Sequence, residues 1–282
     1  MISYYYFTKL PEAKHAECIS GRFSLNTIPN RILSVIKDKN FMRFVKFDAV
    51  WNFGQLMINI FMSVFMIKVL KLKYTEMALF LTPYFIANLL FTFFWGRIID
   101  KHGCKPVLYI CAMAIGITPL IWIFTIYSKW LLIPMYFFAG IFWAGLNLAF
   151  FNIKLKLAPA KERASYLSFD TIVTSVVSVI APAVGGIILD VLENVRLDIG
   201  FMELNSYQIL FFIGFFSRVL PVFLLNGVKE PKVKRTEKVF GIVMSTIGIG
   251  FMEGVGTIMS FVLTPFNALR YYVKHLAVKS RK

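Results

Sequence analysis

Six apolar runs, each about as long as the ~20-residue helix that crosses roughly 30 Å of hydrocarbon, constrain this chain more than any motif does. They cover approximately residues 49–67, 77–95, 106–127, 131–153, 165–189 and 207–227, with charge gathered in the gaps between them. A helical bundle in water is occasionally apolar all round, but six such runs in series argue against it. A membrane β-barrel would need alternating segments of ~10 residues, and the sequence has none. The expected fold class is therefore all-α, a polytopic six-helix membrane bundle. Composition agrees: 58% of the 282 residues are hydrophobic and 16% charged, where soluble domains average about 45–50% and about 25%.

The formal net charge of +16 would suggest a nucleic-acid partner in a soluble protein, but here it reads as membrane topology and no nucleic acid is expected. Lys and Arg accumulate in loops that stay cytoplasmic. With residues 1–47 inside, the inner segments hold 25 basic residues and the outer loops 5, with Arg218 inside a span. Both termini are expected to be cytoplasmic, in a multi-pass protein of the cell membrane. The outer loop between the fifth and sixth spans fits, with Asp190, Glu193, Asp198 and Glu203 against Arg196. Residues 1–47, interrupted by Pro11, Gly21 and Pro29, read as a basic cytoplasmic arm, and 229–282 as a basic tail. Within that tail, 239–266 is long enough to cross. A crossing would carry Arg270, Lys274, Lys279, Arg281 and Lys282 outside, so a hairpin or interfacial helix is preferred. Ile2 to Phe7 is too short for a signal-peptide core and reads as the stump of a helix.

Between the second and third spans stands Gly96-Arg97-Ile98-Ile99-Asp100-Lys101-His102-Gly103-Cys104-Lys105. It resembles the signature loop of the major facilitator superfamily, meeting that pattern at Gly96, Asp100, Lys101, Gly103 and Lys105 and departing from it at Cys104, where a basic residue is usual. The resemblance implies a conformational latch, formed here by Gly96, Arg97, Asp100, Lys101, Gly103 and Lys105, in which both glycines allow a sharp reversal. Asp100 is placed to meet a helix N-terminus or an arginine across an interface. A positive-inside turn that only anchors helices is the alternative. Residues 159–163 resemble the loop between the fourth and fifth helices of a half, and 181–186 the Gly-Pro-x-x-Gly-Gly helix motif, with Ala181 replacing its first glycine. A complete transporter of this family has two six-helix halves. The chain resembles the carboxy-terminal one, with residues 1–47 similar to the central linker. It is expected to be a half that pairs, as a homodimer or with a separate amino-terminal half, or a truncated product.

Polar residues inside spans usually face a bundle interior or a water path. Asn52, Gln55 and Asn59 share one helical face of the first span. The second span holds Tyr84 and Asn88, the fourth Asn147 and Asn152, the fifth Asp170, Thr171, Thr174, Ser175 and Ser178. Asn52, Gln55, Asn59, Tyr84, Asn88, Asn147, Asp170 and Thr174 are the candidate cavity-lining residues. The resemblance implies that the first, second, fourth and fifth spans line the cavity and that the third and sixth sit outside it. Each Asn or Thr is equally read as a hydrogen bond between helices. Asp170, the only acid inside the six runs, reads as a helix cap or partner of Arg163 ahead of a proton carrier, and Arg218 as a snorkelling or structurally paired residue. Trp51, Trp95 and Trp130, near span ends, read as interfacial anchors.

The leading expectation is a secondary transporter moving an unidentified small solute by alternating access. A truncated non-transporting membrane protein or scaffold subunit is the alternative. No span contains paired aspartates, His-Glu-x-x-His or a Ser-Lys pair, so no enzyme is expected. His15, His102, His275 and the three scattered cysteines, Cys18, Cys104 and Cys111, suggest neither a metal site nor a disulfide framework, and no cofactor is expected.

Overall fold

The computed structural model describes residues 28–193, 197–198 and 203–230. The run at 239–266, the basic tail, the stump at 2–7, Cys18, His15 and His275 lie outside the described residues. The helices are α1 (Ile28–Lys37), α2 (Lys39–Lys68), α3 (Tyr74–His102), α4 (Cys104–Phe124), α5 (Leu132–Leu157, led by a 3-10 turn at Lys129–Leu131), α6 (Arg163–Val191) and α7 (Ser206–Val219, running into a 3-10 turn at Leu220–Gly227). Six of them, α2 to α7, are long and apolar enough to cross a membrane. A two-residue antiparallel pairing of Leu197–Asp198 with Glu203–Leu204 decorates the α6–α7 connection.

The helices outrun the apolar segments that announce them because polar caps, not hydropathy, set their ends. Asp38 Oδ1 accepts from the N–H groups of Asn40 and Phe41 at 2.9 and 3.0 Å, starting α2 ten residues before the first apolar run. Residues 28–47, expected as connecting arm, are thus largely helical, and α1 packs Val35 beside Phe41, Val45, Ala158 and Tyr166. A capping box starts α7, with Asn205 Oδ1 accepting from Gln208 N and Gln208 Oε1 from Asn205 N.

The supposed reversing loop is also shorter than expected. α3 continues through Gly96, Asp100 and Lys101 to His102, so Gly96 is a helix-interior residue. The reversal happens at Gly103 alone, whose φ of 96° suits a residue without a Cβ.

α3 packs along α5, α4 along α5 and α7, and α2 along α6 and α7. Lipid tails are as apolar as leucine, so these contacts rest on close fit more than on expulsion of water. Glycines provide it: a Cβ at Gly140 of α5 would strike the Tyr84 carbonyl of α3, and one at Gly185 of α6 the Met57 carbonyl of α2. Of the two glycines at 181–186, Gly185 therefore serves helix contact. Two aromatic-rich cores result. One gathers Phe44, Phe47, Trp51 and Trp95, the other Phe65, Trp122, Leu132 and Phe211. Trp51 and Trp95 are therefore not interfacial anchors. Both are buried, and Trp95 Nε1 donates to the Ile141 carbonyl at 2.8 Å; Trp130 is exposed.

This backbone separates the two glycines of the signature segment. Gly96→Ala, in a helix with nothing within 4 Å of the new methyl, should stabilise the purified protein slightly, by at most about 1 kcal/mol. Gly103→Ala should cost about 1 to 3 kcal/mol, because the position demands positive φ. Thermal unfolding in detergent checks the sign at each position, and equal losses at both would contradict a helix that runs through Gly96.

Candidate functional site

A cavity of about 430 Å³ opens between the helices near the middle of the bundle. α2 contributes Gln55, Asn59, Met62 and Ser63, and α3 contributes Leu81 and Tyr84. α4 adds Thr118 and Trp122, α5 adds Met135, Tyr136, Ala139, Trp143 and Asn147, and α7 adds Arg218. Thr118 lies fourteen residues into α4, about 21 Å along the helix at 1.5 Å per residue, which sets the cavity well inside the bundle. Gln55 and Arg218 are buried at the inner wall, while Asn59, Ser63 and Asn147 are exposed where the cavity opens.

Arg218 does not snorkel. Only 2% exposed, it donates from one terminal nitrogen to Thr118 Oγ1 at 3.3 Å and from the other to the Gln55 carbonyl at 3.4 Å. Both contacts are long. Its Nε has no hydrogen-bond partner, and neither does Gln55 Oε1 beside it. No carboxylate faces it among the described residues.

A second buried charge cluster lies nearer the end of the bundle where α2 and α6 begin and α5 finishes. Lys154 Nζ sits 2.7 Å from Asp48 Oδ2 and 2.6 Å from Asp170 Oδ2, so one ammonium ties α2, α5 and α6 together. The rings of Phe44 and Phe150 stand 6.0 and 5.7 Å from Nζ and add cation–π attraction. Asn52 donates to the Asp48 side chain and to its carbonyl, and Thr174 Oγ1 donates to the Asp170 carbonyl. Two carboxylates against one ammonium leave a formal charge of −1. Asp170 Oδ1 has no hydrogen-bond partner.

At the same end, the segment around Gly103 is held by Glu230. Its carboxylate accepts from the backbone N–H of Cys104 at 3.0 Å and of Lys105 at 2.7 Å, capping the N-terminus of α4. Lys156 Nζ reaches the same carboxylate at 3.0 Å. The basic residue missing at Cys104 is thus matched by an ammonium arriving from α5. Lys105 turns its own amine to the Val228 carbonyl at 2.8 Å. Arg97, Asp100 and Lys101 are exposed on the surface of α3.

Of the residues singled out from sequence, Gln55, Asn59, Tyr84 and Asn147 line the cavity. Asn52, Asp170 and Thr174 belong to the Lys154 cluster instead. Asn88 donates to the Gly140 carbonyl at 3.5 Å, a helix-to-helix contact. The partition of spans differs from expectation. The third and sixth, α4 and α7, contribute Thr118, Trp122 and Arg218, whereas the fifth, α6, contributes nothing to the cavity. The reason is exposure: the apolar stretch of α6 is only 11% buried, so most of its polar residues face outward. The partner of Asp170 is Lys154, while Arg163 is exposed. Asp48 escaped notice because it precedes the first apolar run, although it extends the face of Asn52, Gln55 and Asn59 by one turn. Lys154 was legible in the same way, two turns beyond Asn147.

The family model for the Major Facilitator Superfamily matches residues 50–272. No curated protein matches the chain.

The Lys154 cluster makes a graded stability prediction. Lys154→Met strips the cation from two buried carboxylates and should cost about 3 kcal/mol. Adding Asp170→Asn to it should recover part of the loss, since one of the two unpaired charges is then gone. Thermal unfolding of the purified protein reads both effects, and a double variant less stable than Lys154→Met alone would contradict the charge accounting.

Proposed function

The chain belongs to the major facilitator superfamily, and on that premise we propose that it moves a small solute across the cell membrane by alternating access, as one six-helix half working against a second six-helix bundle. Members of the family are membrane transporters rather than enzymes. The cavity is the observation that carries the reading. It is concave, lies at helix depth, and combines amides and hydroxyls with an aromatic wall, the composition of a solute site.

The cavity is also incomplete. Asn59, Ser63 and Asn147 are exposed at its mouth, and hydrocarbon would leave their polar groups unsatisfied at several kcal/mol each. A water path or a facing bundle removes that cost. The apolar stretches of α3 and α6 are 22% and 11% buried, the two lowest among the spans. α6 also carries Thr171, Ser175 and Ser178 on exposed positions. These faces suit a partner bundle, either a copy of this chain or a separate amino-terminal half. Because halves of this architecture share one orientation about an axis along the membrane normal, a parallel homodimer needs no inverted chain. The end carrying Glu230 and Lys154 is assigned to the cytoplasm by the 25-to-5 distribution of basic residues. Asp100, exposed at the end of α3, then faces the start of the partner's α6 and acts as a latch that breaks and reforms.

Alternating access predicts that cysteines replacing Asn59 or Asn147 react with a membrane-impermeant thiol reagent from either side of the membrane, whereas one replacing Val179 reacts from neither. Protection of both cavity positions from both sides would refute the reading. Pairing predicts that cysteines replacing Asp100 and Ser165 crosslink between two copies in native membranes, or between this chain and a co-expressed amino-terminal half. A monomer that still transports would refute it.

A further inference from the structure

Among the described residues, Arg218 is the only charged one lining the cavity. Its environment is unlike that of the other buried charges. Lys154 has two carboxylates within 2.7 Å, and the Glu230 carboxylate has an ammonium and two backbone N–H groups. Arg218 has a hydroxyl and a carbonyl at more than 3.2 Å and an unused Nε. A buried guanidinium offers five donors in a fixed fork, matched to a planar oxyanion. Without an anion, such a charge costs several kcal/mol in a low-dielectric interior.

We propose that Arg218 anchors the negative charge of the solute, and that the cavity takes a small organic monoanion whose apolar, flat body lies against Trp122, Tyr136 and Trp143. This rests on the reading of the cavity as the solute site. One cation, faced by no carboxylate among the described residues, matches a single negative charge. The volume of about 430 Å³ fixes the size, since an inorganic oxyanion would leave most of it unfilled. The amides of Gln55, Asn59 and Asn147 then serve the uncharged polar groups of the solute, donating or accepting as needed.

Because Trp122 and Trp143 stand in the cavity wall, ligand occupancy is readable as a change in tryptophan fluorescence of the full chain in lipid nanodiscs. Benzoate, benzamide and benzylamine share one ring and differ in charge, and nitrate supplies the anion without the ring. Benzoate should bind about tenfold or more tightly than benzamide, as expected for a charge-assisted contact, with benzylamine and nitrate weaker still. Arg218→Gln should erase the preference for benzoate while leaving the affinity for benzamide near its original value. Arg218→Lys, which keeps the charge but not the fork, should retain a reduced preference. Equal binding of benzoate and benzamide by the unaltered protein would overturn the anion assignment while leaving the cavity as solute site, and that comparison decides even if Arg218→Gln fails to fold. Nitrate binding as tight as benzoate would overturn the organic body. If none of the four probes binds, the cavity is not a solute site and both readings fall.

Discussion

Hydrocarbon solvates neither charge nor backbone, and the way this chain meets that constraint organises everything else about it. The backbone is satisfied inside helices, which is why six apolar helices account for nearly all of the described structure. Asp48, Lys154, Asp170 and Glu230 are satisfied by pairing, and that pairing forces helices together. Lys154 holds α2, α5 and α6 through two carboxylates, and Glu230 holds the start of α4 to the end of α5 through Lys156. Both lie at one end of the bundle. Among the described residues the opposite end has the single pair Lys129 to Glu76 at 3.0 Å, exposed enough to be worth little.

Between these ends the helices are held by fit. Gly54, Gly140 and Gly185 each bring a neighbouring helix so close that a methyl group would strike a backbone carbonyl. Such contacts have no hydrophobic reward in lipid but gain dispersion at short range. They also leave the apolar stretches of α3 and α6 only 22% and 11% buried. Such exposed faces are what the proposed pairing with a second bundle would cover.

Much of this was legible in the sequence because hydropathy reports directly on solvent. The six spans, their order and the polar face of Asn52, Gln55 and Asn59 all follow from it. Hydropathy does not report on where a helix starts, and Asp38, a capping residue in a polar stretch, sets α2 well before its apolar run. That displaced boundary hid Asp48. The signature segment misled for a related reason: Gly96 satisfies a sequence pattern but lies in continuous helix, while Gly103 alone turns the chain. Trp95 was misread because proximity to a span end does not distinguish a ring at the interface from one packed inside. The side chain of Arg218 was beyond sequence reasoning, since snorkelling and burial differ only in which helix stands in the way. Here α2 and α4 do, through Gln55 and Thr118.

Compensated charge at one end and uncompensated charge at the centre have different mechanical consequences. An ion pair shared among three helices resists separation until something replaces a partner, so the Lys154 cluster favours the arrangement in which the ends of α2, α5 and α6 stay together. A buried guanidinium that no carboxylate faces among the described residues does the reverse, lowering the stability of whichever state leaves it without an anion. On the proposed function, solute binding would change the balance between states by its differential affinity for them, and by no more than that. On that same proposal, the arginine would contribute to that change only to the extent that it meets an anion better in one state than in the other. The Lys154 cluster, tying α2, α5 and α6 at one end, is then the contact that such a change would have to break.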